Sequence, residues 1–156
     1  MQAFLFAFRF LTALPIPHPK ELDYGILPKS AGYYPVVGLV LGLILAGMDR
    51  VFHSLSFTPL LANTILVVAL AALTGGLHLD GLSDTFDALA VFKDREKALQ
   101  IMKDSHVGVM GALSIVCTLL LKIAALSELG PSLKISAILM MCVAGRWALV
   151  GCIKFF

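Results

Sequence analysis

Three carboxylates in the stretch TGGLHLDGLSDTFD, Thr74 to Asp87, recur at i, i+4 and i+7: Asp80, Asp84 and Asp87. On a helix these positions fall on one face, within roughly 60° of each other. No basic residue stands at i±3 or i±4 along that face, and Leu79, Leu82, Phe86 and Leu89 surround it. Like charges gathered at an apolar boundary repel and are poorly solvated, and a bound cation relieves both costs. Oxygen-only ligands, with neither a cysteine pair nor a histidine pair nearby, point to Mg²⁺ or Mn²⁺ rather than zinc.

The neighbours widen the possible chemistry. Gly75 and Gly76 suit either a kinked end of a membrane helix or a backbone that comes close to a phosphate. His78 points away from Asp80 on a continuous helix; it is either a hydrogen-bonded structural histidine or a group that carries a proton or contacts substrate. Asp104 and Ser105 precede a long apolar run, where either suits a helix cap. Asp104 can instead join the acids across the intervening loop. Lys93 and Lys103 read as membrane-surface anchors or phosphate clamps. Lys122 and Arg146 lie within apolar runs, where a charge is costly and functional by default. Lys122 is close enough to a run's end to snorkel, whereas Arg146 can reach an anionic substrate or the acids. A divalent metal ringed by basic residues suits phosphoryl or nucleotidyl transfer, in which positioning and charge stabilisation dominate. The residues by themselves name no substrate.

The elements that must hold these groups are apolar. The 156 residues are 59% hydrophobic and 14% charged, with mean hydropathy +0.93; a soluble domain is usually about 45–50% apolar and about 25% charged. A bilayer is the expected solvent. The net charge of +2 is too small to argue for nucleic acid. Four apolar runs are expected to be membrane helices in an all-α polytopic fold: Tyr33 to Met48, Leu60 to Leu79, Val107 to Leu126 and Ile135 to Ile153. Asp49 and Arg50 are expected to close the first. Before them, Phe4, Phe8 and Leu11 share a face of a short interfacial or re-entrant helix that Pro15 and Pro17 end. Gly38 with Gly42, and Gly108 with Gly111, are spaced to let helices approach closely. Cys117, Cys142 and Cys152 read as small buried hydrophobes. A removed signal peptide is not expected, because neither a basic start nor a small-residue cleavage site is present.

A single membrane domain over 1–156 is expected, with one charged segment, the acidic loop 80–106. Four spans place that loop on the side of the N-terminal segment and the C-terminus. That side carries eight basic residues: Arg9, Lys20, Lys29, Lys93, Arg95, Lys97, Lys103 and Lys154. The other carries two, Arg50 and Lys134. The positive-inside rule then puts the acidic loop in the cytoplasm.

The chain resembles the cobalamin synthase (adenosylcobinamide-GDP ribazoletransferase) family, multi-pass membrane enzymes of bacteria and archaea. The resemblance runs almost its whole length. Phe10-Leu11-Thr12-Ala13-Leu14-Pro15-Ile16-Pro17 is similar to the family's opening, and Tyr34-Pro35-Val36-Val37-Gly38 with Gly42 to its first span. Gly75-Gly76-Leu77-His78-Leu79-Asp80-Gly81-Leu82-Ser83-Asp84-Thr85 resembles its hallmark. Ile101-Met102-Lys103-Asp104-Ser105 with Gly108 and Gly111 resembles the family's next segment. The resemblance implies that a hydroxyl of α-ribazole, or of its 5′-phosphate, attacks the cobinamide-bound phosphate of adenosylcobinamide-GDP. GMP leaves, adenosylcobalamin or its phosphate forms, and Mg²⁺ is required, at a bacterial inner membrane. It implies metal ligation by Asp80, Asp84 and Asp87, with Asp104 a further ligand. His78 and Asp84 would be catalytic, and Gly75, Gly76, Lys103, Ser105 and Arg146 would contact substrate. Ala13 and Ala88 depart from a basic residue and a glycine often found there. Family members also continue through further spans and a second acidic, glycine-containing segment that has no match here. The chain is thus expected to correspond to the N-terminal part of a member, a fragment or a short form. The competing readings are an inactive remnant, a transporter and a CDP-alcohol phosphotransferase. The last opens on DG-x-x-AR, whereas Asp80-Gly81 is followed by Leu82-Ser83-Asp84. A transporter would more often bury its charges in mid-span. The oligomeric state is left open.

Overall fold

A computed structural model describes residues 2–15, 27–89, 95–104 and 106–155. These residues form helices and connections, without a strand. In chain order they are α1 (Gln2–Leu11), α2 (Leu27–Ala31), α3 (Tyr34–Ser54), α4 (Pro59–Leu73), α5 (Leu77–Leu89), α6 (Arg95–Ile101), α7 (Val109–Ser127) and α8 (Pro131–Phe155). Pro35 and Pro59 sit in the first turns of α3 and α4, where a missing N–H costs nothing and the fixed φ is already helical. Helices α3, α7 and α8 are long and apolar enough to cross a membrane. Helices α4 and α5 pass the same test only together, as a pair bent by 88°. The chain therefore has the character of a multi-pass membrane protein, with three such helices among the described residues, or four crossings if the bent pair is one span. The short N-terminal helix expected from Phe4, Phe8 and Leu11 is α1.

The first long helix runs further than its apolar composition suggests. Asp49 and Arg50 do not close it; α3 continues to Ser54. Buried Asp49 is tolerated because Lys134 of α8 donates a hydrogen bond to its Oδ1, forming an ion pair. The second apolar run is not one continuous helix. Helix α4 has 15 residues, about 22 Å at 1.5 Å each, short of the roughly 30 Å of hydrocarbon in a bilayer. The stretch expected to be a loop at 80–106 contains most of α5 and all of α6.

Packing centres on α3 against α8. Gly38 makes this possible: a Cβ there would collide with the Cys142 carbonyl on α8. At Gly42 a Cβ would come within 3.2 Å of the Leu139 backbone. One apolar cluster, with Leu45, Leu66, Leu70, Leu126, Ile138 and Cys142, joins α3, α4, α7 and α8. A second, with Leu11, Tyr34, Val37 and Leu41, seats α1 and α2 on α3. The backbone N–H of Ala13 donates to the Leu73 carbonyl at 2.8 Å, tying the N-terminal segment to the end of α4. Of the cysteines expected to be buried, Cys142 is buried, whereas Cys117 and Cys152 are exposed. They share the outward faces of α7 and α8 with Val116, Leu120, Leu121, Met140 and Trp147, surfaces that suit acyl chains.

Candidate functional site

The glycine pair is the origin of the site. Gly75 and Gly76 have φ of +59° and +72°, left-handed values that cost a side chain free energy. Thr74 ends α4, its Oγ1 donating to the Leu70 carbonyl at 2.9 Å. Two left-handed residues then turn the chain, and the Leu79 and Asp80 N–H groups donate to the Gly76 carbonyl as α5 starts. The segment from Gly75 to Asp87 is thus a turn followed by a new helix rather than a continuation of α4.

One side of α5 lies on the start of α7. Both oxygens of Asp87 accept from α7's first turn: Oδ2 from the Gly108 N–H and Oδ1 from the Gly111 N–H, each at 2.8 Å. A helix N-terminus offers unpaired N–H donors and a positive dipole end, so a carboxylate there is favourable. Gly108 and Gly111 are required because a Cβ at either would overlap Asp87, and at Gly111 also Ser83. The cap expected from Asp104 or Ser105 comes instead from Asp87, more than twenty residues upstream. Asp104 Oδ1 accepts from the His106 N–H at 3.1 Å and faces its Nδ1 at 2.5 Å. This exposed carboxylate pushes the His106 pKa up, through a hydrogen bond first and charge attraction second. Lys103 is exposed after α6, and Ser105 lies outside the described residues.

Asp80 and Asp84, one turn apart on α5, make no hydrogen bond or ion pair among the described residues. Asp80 is exposed and Asp84 half-buried. No three His, Cys, Asp or Glu side chains among the described residues are gathered to hold a metal. The structure therefore offers an open acidic pair beside a third acid that is engaged with α7. His78 is not with this pair; it lines a separate cavity.

That cavity, of about 250 Å³, lies where α4 turns into α5 beside α7 and α8. Thr74, His78, Lys122 and Arg146 line it with apolar neighbours. Arg146 is 3% exposed, and its Nε and Nη2 atoms lack a hydrogen-bond partner. The meeting of Lys122 with Arg146 escapes a reading of the sequence. Each alone is flagged by its apolar surroundings, but only the packing of α7 on α4 and α8 brings them to one hollow. A larger cavity of about 530 Å³ at the opposite end of these helices holds the Asp49–Lys134 pair with Arg50 and His53.

Comparison with known proteins gives a consistent result. The profile of the family described as Cobalamin-5-phosphate synthase matches residues 3–156. A protein of Roseiflexus sp. named adenosylcobinamide-GDP ribazoletransferase is 43% identical over 150 residues, covering 96% of this chain and 55% of that protein. Proteins of the same name from Desulforamulus reducens and Desulfitobacterium hafniense are 44% and 39% identical, covering 57% and 62% of their lengths. The chain thus spans little more than half the length of these curated relatives. No solved structure matches it.

Proposed function

The chain belongs to the cobalamin-5-phosphate synthase family, and we propose that it serves transfer of the cobinamide phosphate of adenosylcobinamide-GDP to α-ribazole or its 5′-phosphate. In this reaction the ribazole hydroxyl oxygen bonds to the cobinamide-bound phosphorus. The bond to the bridging diphosphate oxygen breaks, GMP leaves with the electron pair, and the hydroxyl proton passes to a base. The observation that carries the reading is the unpartnered pair Asp80 and Asp84, held on a helix that Asp87 fixes to α7.

The donor set fits Mg²⁺, which commonly takes one or two carboxylates beside substrate phosphates rather than an all-protein cage. Asp80 and Asp84 would hold it. Bound there, it would offset the charge of the diphosphate and polarise the phosphorus under attack. In this reading Asp87 is a positioning residue, since both its oxygens are engaged with α7. Gly75 and Gly76 leave the backbone of the turn open to a phosphate; nothing lies within 4 Å of where a Gly76 Cβ would be. Lys103, Ser105 and Asp104 belong to the segment that leads from α6 to α7, where Lys103 can attract an anion. His78, turned to the other side of α5, serves substrate contact rather than the acid pair. The charge asymmetry supports an orientation with this face in the cytoplasm of a bacterial inner membrane.

The test is GMP release from adenosylcobinamide-GDP plus α-ribazole by the chain in lipid vesicles. The expected result is release with Mg²⁺, none with a chelator, and a loss of about 100-fold or more in Asp84→Ala. Full turnover by that variant would remove the acid pair from the mechanism.

A further inference from the structure

The Arg146 cavity holds two cationic side chains and a histidine, and its lining contains no carboxylate. Neither Arg146 nor Lys122 makes a hydrogen bond or ion pair with any described residue. A guanidinium taken out of water without a counter-ion is strongly unfavourable, and a second cation facing the same space adds repulsion. The other buried charge pair among the described residues, Asp49 with Lys134, is neutralised within the protein. The Arg146 cavity lacks that remedy among the described residues, and a ligand of opposite sign would supply it.

We propose that Arg146 and Lys122, with His78 at the rim, form a site for one phosphate group. The volume of about 250 Å³ falls below the roughly 300–1,000 Å³ that holds a drug-sized ligand, so a single tetrahedral oxyanion fits where a nucleoside or a corrin does not. Arginine's planar donor fork suits phosphate oxygens, and lysine adds a point charge. Thr74 is not a donor to the ligand, because its hydroxyl already donates to the Leu70 carbonyl. Gly145, immediately before Arg146, has nothing within 4 Å of where a Cβ would be, so the backbone beside the guanidinium is uncrowded. The site stands on this geometry alone. Placing a phosphate of the transferase substrates in it rests on the proposed function. A phospholipid headgroup has the same chemistry.

The experiment is thermal unfolding of the delipidated chain in detergent, with inorganic phosphate titrated against chloride at constant ionic strength. The expected result is a Tm that rises with phosphate, as binding to the native state alone requires. Apparent phosphate affinity should fall at least about tenfold in Arg146→Met and in Lys122→Met, and be unchanged in Lys154→Gln. Without phosphate, Arg146→Met should be at least as stable as the parent, because an unmatched buried charge is gone; this separates lost binding from failed folding. Equal phosphate dependence in the parent and both methionine variants overturns the site, as does no dependence in the parent. Native mass spectrometry distinguishes the sources. A phospholipid kept by the parent and lost from Arg146→Met assigns a headgroup; binding of phosphate with no lipid retained assigns a soluble ligand. GMP release without a phosphate-dependent Tm overturns this site and leaves the transferase standing; the converse result does the reverse.

Discussion

Both oxygens of the Asp87 carboxylate are taken by the first turn of α7, and this separates three acids that the sequence places together. Periodicity puts Asp80, Asp84 and Asp87 on one face. It does not say which of them meets another helix. The same displacement affects Asp104, which suits a cap by its position before α7 yet contacts His106. That contact has a measurable consequence. The imidazolium is stabilised by Asp104, so the His106 pKa is raised. The interaction is at full strength below the ordinary histidine range and is lost as pH rises through the raised value. An NMR titration of His106 should give a midpoint above that of a free histidine, and Asp104→Asn should bring it down. An unchanged midpoint in the variant would show that the pair does not persist in solution.

At the scale of elements, the break after α4 decides what the site can be. A run of about twenty apolar residues satisfies the length rule for a span, and Gly-Gly within it reads equally well as a kink or as a phosphate approach. The two positive φ values resolve the backbone: α4 stops and α5 leaves at 88°. A side chain at either position meets the left-handed penalty, about 1–2 kcal/mol per residue. Gly76→Ala should therefore lower stability by about 1 kcal/mol, although nothing there would clash with the new methyl group. Chemical denaturation in detergent tests this. Stability equal to the parent's would mean that the turn adopts other angles. Element lengths explain a second difference. Asp49 and Arg50 look like a boundary because charges commonly end apolar runs, but Lys134 lies far away in sequence and neutralises Asp49 within the bundle.

For the whole molecule, the two ends of the bundle differ in chemistry. One carries the glycine turn, the acid pair and the Arg146 cavity; the other carries Asp49, Lys134, Arg50 and His53. The excess of basic residues on the first side predicts that it faces the cytoplasm. In a cysteine-less background, Met102→Cys should react with a membrane-impermeant thiol reagent only from the cytoplasmic side, and Ser132→Cys only from the opposite side. Labelling of both from one side would mean that α7, which lies between them, does not cross. Both positions are exposed, so reactivity reports sidedness rather than packing.

Composition alone determined that these helices belong in a bilayer, because 59% hydrophobic residues exceed what one small core can hide. Local order determined more: the 3.6-residue period aligned the acids, glycine spacing marked a face of α3 that another helix can approach closely, and the hallmark segment pointed to the family. These are short-range properties, legible wherever a residue's neighbours in sequence are also its neighbours in space. Tertiary structure alone decided which acid is spent on α7, where the second apolar run breaks, and that Lys122 and Arg146 share one cavity. Each of those depends on contacts between residues distant in the chain. A charge in an apolar run announces that it needs a partner, but the fold determines whether that partner is another side chain, as for Asp49, or a ligand, as in the site proposed for Arg146.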